Sequence, residues 1–347
     1  LHVLCLDEPA HATITRLDLD DVVPVKLATL EAAAPALAQT KHGRQKYEYY
    51  FTLTPSWMLY LLESGGGIDS ITYLDADLYF FSDPQPLFEE IGTGSVAIVP
   101  HRFPPRLKYK EQCGKYNVSF VFFRRDDRGL ACLRWWRDKC IEWCYDRCEE
   151  GRFADQKYLD EFQSRFEGVH VIDNIGADVG PWNVECHPVT WRAGGILIGE
   201  VPLVFYHFEG YRQEAPQLID PGICRYGVPL AKNIINIIHI PYVNEVLAGR
   251  RLLDRCQECV RGPGDTRDTV RSGTDKVSWY HGLRRYFEGQ YVWCFAGRAW
   301  YCESHMAKRI VSMYDALRRR FRGKSRREKN ECETIASHRT RSNGEME

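Results

Sequence analysis

The sequence has no apolar run that approaches the ~18 residues of a membrane-spanning helix, so no such helix is expected. It has no excess of charge of either sign: 46 lysine and arginine residues stand against 47 aspartate and glutamate residues, which makes no case for nucleic acid as a partner. No internal repeat is present. The thirteen cysteines lack the spacing of a small disulfide framework, and a chain of 347 residues does not need one, so reduced thiols in a cytoplasmic protein are expected. Cys256 and Cys259 form one Cys-x-x-Cys pair without a second pair at finger spacing, which leaves a structural zinc and a chance spacing both open. Cys132, Cys140, Cys144 and Cys148 fall four residues apart or multiples of four, in register with Trp136. They read as one apolar helical face, because a free cysteine packs as a small hydrophobe.

What is present is a chain with 44% apolar residues, enough to bury one large domain or a domain with an appendage. His2–Leu6 reads as a buried strand and residues 25–40 as an alanine-rich helix. Thr54-Pro55 reads as the cap and first turn of a further helix ending at Gly65-Gly66-Gly67. Residues 71–81, 95–100 and 118–123 read as strands, and 129–148 as a long helix. The alternation of strand and helix predicts an α/β fold with a mixed, mostly parallel sheet flanked by helices. Past Tyr242 the pattern weakens. The Gly262–Thr266 stretch reads as a linker, and the aromatic residues from Trp279 to Trp300 as a small C-terminal appendage. The cationic run Arg318–Arg327 opens a tail read as disordered, with contact to anionic lipid as a secondary reading.

The most informative step is Asp75-Ala76-Asp77, which interrupts the apolar strand. Two carboxylates at spacing i, i+2 cannot both enter the core, since successive strand side chains face opposite ways and unpaired carboxylates are costly to bury. They must meet water, a cation or a ligand. Hard oxygen ligands at a strand's carboxyl end suit Mg²⁺ or Mn²⁺, and such an ion can bridge the phosphates of a nucleotide.

Four further segments, in chain order, resemble motifs of the retaining glycosyltransferases of family 8 and their relatives. Tyr116-Asn117-Val118-Ser119-Phe120 is similar to their YN-small-G strand, and Ala154-Asp155-Gln156-Lys157-Tyr158-Leu159 to their DQ-x-x-L element. Gly180-Pro181-Trp182-Asn183 resembles the PWN of a nucleotide-diphospho-sugar transferase group, and His207-Phe208-Glu209-Gly210 the late HxxG. The resemblance implies a GT-A, Rossmann-like domain over residues 1–245, which leaves 246–317 as the appendage and 318–347 as the basic tail read above from composition. It implies Asp75, Asp77 and His207 as ligands of a divalent cation, Mn²⁺ ahead of Mg²⁺, on the diphosphate of a nucleotide-sugar donor, with a UDP-sugar favoured.

Asp155 and Gln156 are then the catalytic pair, with a helix N-terminus as the plainer account of the aspartate. Asn117, Arg102, Trp182, Asn183, Gly210 and Arg212 would contact the substrates, against surface arginine and buried tryptophan as the plainer readings. The acceptor is open.

Three departures stand out. The family continues its HxxG into x-x-Lys-Pro-Trp where this chain has Tyr211-Arg212-Gln213-Glu214, which leaves Arg212 as the substitute cation. Ser119 replaces a glycine that the sugar approaches. The strand at His2–Leu6 matches the family's second strand, so the first is expected to be missing. Rival readings are a degenerate nucleotide-sugar-binding protein, a phosphate-metal hydrolase and a structural zinc protein.

Overall fold

The computed structural model of the chain describes residues 1–258 except 65, 193, 216–217 and 228–230, together with 292–295 and 298–300. They fall into two compact units, with Gln213–Asp220 assigned to the second. The Gly262–Thr266 linker, the basic run, the tail and Cys259 lie outside the described residues.

In the first unit, β1 (His2–Cys5) pairs in parallel with β2 (Val23–Lys26) across α1 (Glu8–Leu17). The alanine-rich stretch forms two helices rather than one, α2 (Leu27–Ala33) and α3 (Pro35–Thr40). Pro35 has no N–H with which to continue the first, and Ala34 leaves the helical region at φ −130°. Helix α4 (Lys46–Ser64) corrects a second expectation: Pro55 lies inside it and Thr54 is not its cap. The hydrogen bond that proline removes is outweighed by burial on two sides. Tyr49, Leu53, Trp57 and Leu61 join a cluster with Leu30 and Leu37, while Met58, Leu59 and Leu62 pack on the main sheet.

That sheet is built from β3 (Ser70–Leu74), β5 (Val96–Pro100), β6 (Tyr116–Arg124) and β7 (Val169–Val171) in the order β3-β6-β5-β7. Between the first two strands lie β4 (Leu78–Phe80) and α5 (Gln85–Ile91). The sheet is mixed: β7 is parallel to β5, whereas β6 runs antiparallel to both its neighbours. Alternation along β5 sends Val96 and Ile98 to one layer, with α4 and α6 (Asp127–Glu142), and Ala97 and Val99 to the other, with Leu87 and Ile91 of α5. The pairing of β5 with β6 shifts between Ile98 and Val99, so that Val99 stands opposite Asn117. This irregularity lies where β6 enters the site.

The cysteine stripe holds only in part. Cys132, Trp136 and Cys140 are buried on α6, but the helix ends at Glu142; Cys144 is buried beyond it, and Cys148 is exposed with its Sγ 3.1 Å from that of Cys113. After α7 (Phe162–Arg165), the strands β8 (Val189–Arg192), β9 (Gly195–Ile198) and β10 (Val201–Pro202) form an antiparallel sheet. Strand β11 (Phe205–His207) then returns to pair antiparallel with β4. The unit closes with α8 (Lys232–Ile234), a π-helical turn at Ile235–His239, and α9 (Ile240–Glu258), which runs unbroken across the expected 245/246 boundary. The second unit's sheet has four strands in sequential order, β12 (Arg212–Ala215), of which Arg212 still counts with the first unit, β13 (Leu218–Asp220), β14 (Val292–Phe295) and β15 (Arg298–Trp300).

Candidate functional site

The site forms where β3, β4, β6 and β11 meet. Asp75 follows the last residue of β3, and its N–H donates to the Ser119 carbonyl at 3.1 Å. Pairing of β11 with β4 sets His207 opposite Leu78, and the Phe208 N–H donates to the Asp77 carbonyl at 2.9 Å. A histidine distant in sequence is thereby fixed beside the acidic pair. Its Nε2 lies 3.1 Å from Asp77 Oδ1 and 3.8 Å from Asp75 Oδ2. The three residues each offer a ligand atom, all within 4.8 Å of one another.

The imidazole is buried, while Asp75 and Asp77 keep 30% and 42% of their side-chain surface open, so the cluster faces outward. Tyr73 OH donates to Asp75 Oδ1 at 2.9 Å and holds that carboxylate from behind.

The electrostatics favour a positive ion. Burial raises the pKa of Asp75 above the usual carboxylate range, and the neighbouring charges of Asp77 and Asp178 add to this against the opposing pull of His207. Burial, then the charge of Asp75, pushes Asp155 up to about 8. Burial works to raise Asp77 as well, but the hydrogen bond to His207, the charge of that ring and a backbone hydrogen bond together outweigh it and hold it low. Burial alone would lower His207, yet Asp178 and Asp77 reverse this and raise it well above the ordinary imidazole value. Three carboxylates, Asp75, Asp77 and Asp178, gathered around one imidazole carry surplus negative charge that a divalent cation would relieve. Two carboxylates and an imidazole form a donor set that accepts Mn²⁺ or Mg²⁺ and leaves positions for phosphate oxygens.

The other expected residues divide sharply. Asp155 is buried near enough to Asp75 for the two charges to repel, and its backbone carbonyl accepts from Trp136 Nε1 at 2.8 Å. Gln156 turns elsewhere: its Nε2 donates to the Cys113 carbonyl at 3.1 Å and its side chain covers Gly114. Asn117 sits behind His207 and donates from Nδ2 to both Asp178 oxygens at 3.2 Å.

Arg102 does not face the triad. Its guanidinium donates to the carbonyls of Ile172, Asn174 and Ala177, which makes it a clamp on that loop. Trp182 is 2% exposed, too enclosed to stack on a sugar; its Nε1 donates to the His101 carbonyl and its ring meets His207 edge-on at 5.3 Å. Asn183 Nδ2 donates to the carbonyls of His101 and Asp178, while its Oδ1 accepts from the Gly180 N–H. Gly180 is required there, because a Cβ would lie 2.5 Å from the Trp182 ring. Gly210 has φ 81° with the Arg225 side chain laid across it, and Arg212 is exposed at the start of β12.

Sequence reasoning missed Asp178, Tyr73 and Arg225. For Asp178 the one local signal was its place two residues before Gly180-Pro181-Trp182-Asn183.

No protein-family model matches the chain. Over 220 residues it is 34% identical to YfnF of Bacillus subtilis (strain 168), an uncharacterized protein, with 61% of this chain and 72% of that one covered. Over 260 residues it is 31% identical to YfnD of the same organism, also uncharacterized, with 74% and 81% covered. Among solved structures it is similar to the galactosyltransferase LgtC in complex with donor and acceptor sugar analogs, at 16% identity and a TM-score of 0.42, over 68% of this chain and 88% of that one. It is also similar to the apo form of mouse xyloside xylosyltransferase 1, at 14% identity and a TM-score of 0.38, over 60% and 84%.

Proposed function

The chain belongs to the family of the Bacillus subtilis proteins YfnF and YfnD, and we propose that it is a metal-dependent glycosyltransferase of GT-A type. It moves a sugar from a nucleotide-diphosphate donor, a UDP-sugar by preference, to an acceptor hydroxyl, with retention at the anomeric carbon. The observation that carries this reading is the return of β11 to β4, which sets a buried imidazole against an acidic pair that opens outward. The order of the motifs along the chain supports the same class.

Asp75, Asp77 and Nε2 of His207 would hold the cation, Mn²⁺ ahead of Mg²⁺. Bound there, it supplies positive charge to the departing diphosphate. The chain's own residues do the rest. Tyr73 steadies Asp75. Asp155, carrying its proton up to about pH 8 in the metal-free chain, directs a hydroxyl of the transferred sugar or acceptor. Gln156 fastens the Cys113–Gly114 turn beside it. Trp182 and Asn183 build the wall behind His207 rather than touching sugar, and Arg212 supplies charge to the phosphates. The buried thiols of Cys132, Cys140 and Cys144 suit a reducing compartment, and the reading places the protein in the cytoplasm. Among the described residues no helix is long and apolar enough to cross a membrane.

The test is incubation of the full chain with a panel of nucleotide sugars and Mn²⁺, followed by measurement of nucleoside diphosphate release. Asp77→Ala is expected to reduce turnover by more than about 100-fold, beyond what loss of a supporting residue costs. Undiminished turnover by that variant removes the metal mechanism. Nucleotide binding without transfer or hydrolysis, with every donor, favours a degenerate binding protein.

A further inference from the structure

We infer that Asp178 is a positioning residue of the cation site: when an ion displaces the Nε2 hydrogen of His207, the buried carboxylate accepts from Nδ1–H and keeps the Nε2 lone pair turned toward the ion. The inference rests on the reading of those three residues as cation ligands.

Asp178 is fully buried, with a left-handed backbone at φ 56° that a non-glycine residue adopts at a cost. A carboxylate in that position must be satisfied by donors. Among the described residues no lysine or arginine pairs with it. Ser119 Oγ donates to its Oδ1 at 2.8 Å, Asn117 Nδ2 lies 3.2 Å from each of its oxygens, and His207 Nδ1 lies 3.6 Å from Oδ1.

Asn117 Nδ2 is also 3.2 Å from His207 Nδ1, which defines two alternatives for the neutral ring that binding of a cation requires. If the ring accepts from Asn117, its hydrogen sits on Nε2, pointing at Asp77 Oδ1 3.1 Å away, and occupies the direction a cation needs. If both Asn117 hydrogens serve the carboxylate, the ring donates from Nδ1 and Nε2 is open. A buried negative charge on the Nδ1 side favours the second arrangement, and a carboxylate behind a metal-bound imidazole also raises its basicity as a ligand.

Ser119 acquires a purpose in the same scheme. The resemblance to family 8 expects glycine at that position, and the hydroxyl present instead compensates the burial of Asp178. The Asp178 carboxylate is brought to His207 by the chain itself, since the His207 N–H donates to the Val179 carbonyl at 2.8 Å.

The experiment compares the full wild-type chain with Asp178→Asn. Mn²⁺ binding, followed by the electron paramagnetic resonance of the free ion, is expected to weaken about 10–100-fold in the variant. In the Mg²⁺-loaded wild type with ¹⁵N-labelled histidine, the His207 resonances, assigned by their loss in His207→Gln, are expected to show the hydrogen on Nδ1. Equal Mn²⁺ affinity in Asp178→Asn overturns the inference, whereas a hydrogen on Nε2 in the Mg²⁺-loaded wild type, which excludes that nitrogen as a ligand, refutes the cation reading. Where Asp178→Asn does not fold, the wild-type spectrum decides: an Nδ1 hydrogen without the downfield shift of one bound to a carboxylate overturns the inference. A wild-type chain that binds no Mn²⁺ refutes the cation reading itself, an outcome distinct from equal binding by both proteins.

Discussion

Arg102 donates to three carbonyls of one loop from a backbone at φ 50°, and burial lowers its pKa from the ordinary arginine value against the opposing pull of Asp178, Glu90 and Asp173. Lysine carries the charge but not the fork, so Arg102→Lys is expected to leave carbonyls of Ile172–Ala177 unpaired and to cost about 1–3 kcal/mol in denaturant unfolding. Unchanged stability with weakened nucleotide binding would return this arginine to the substrate. At this scale the acidic pair was legible because i, i+2 carboxylates contradict an apolar strand, and His207 because a motif accompanied it. Asp178 was not legible. Its donors at 117, 119 and 207 are remote in sequence, and a lone aspartate in a loop looks like any solvated one.

The π-helical turn between α8 and α9 buries His239 against the rings of Tyr206 and Phe208, and neither ring nitrogen has a hydrogen-bond partner. Burial drives its pKa down to about 3. The unfolded chain takes up that proton at about pH 6.5, so stability from the neutral ring is present above that pH and is lost as the pH falls towards about 3. His239→Phe is expected to raise stability by about 1 kcal/mol at neutral pH and to flatten the acid loss, as read by thermal unfolding across that window. A lower unfolding midpoint for the variant would contradict the assignment of an unsatisfied ring. Whole elements were read well where periodicity ruled, as in β5, β6 and most of α6. They were misread where one residue was taken as punctuation. Pro55 seemed to start a helix because local sequence does not show that two apolar clusters bury both sides of α4, and Cys144 and Cys148 kept the spacing of α6 after the chain had left it.

Across the first unit, a cation held by Asp75, Asp77 and His207 would bind the folded chain and not the unfolded one. Mn²⁺ at one hundred times its dissociation constant is then expected to stabilise the chain by about 2.7 kcal/mol, raising the thermal midpoint of wild type but not of Asp77→Ala. An equal rise in both proteins would place the ion elsewhere. The α/β class and the site at strand ends were legible from alternating elements, while the antiparallel course of β6 was not, because pairing direction depends on connections and not on apolar pattern.

The three-residue ladder between β4 and β11 carries a consequence for biosynthesis. A nascent chain that has emerged only through β10 displays both acidic ligands without the imidazole that completes them. An ion that needs all three ligands would therefore be captured only after β11 has emerged, so its uptake would report a paired β4–β11 ladder rather than template the early sheet.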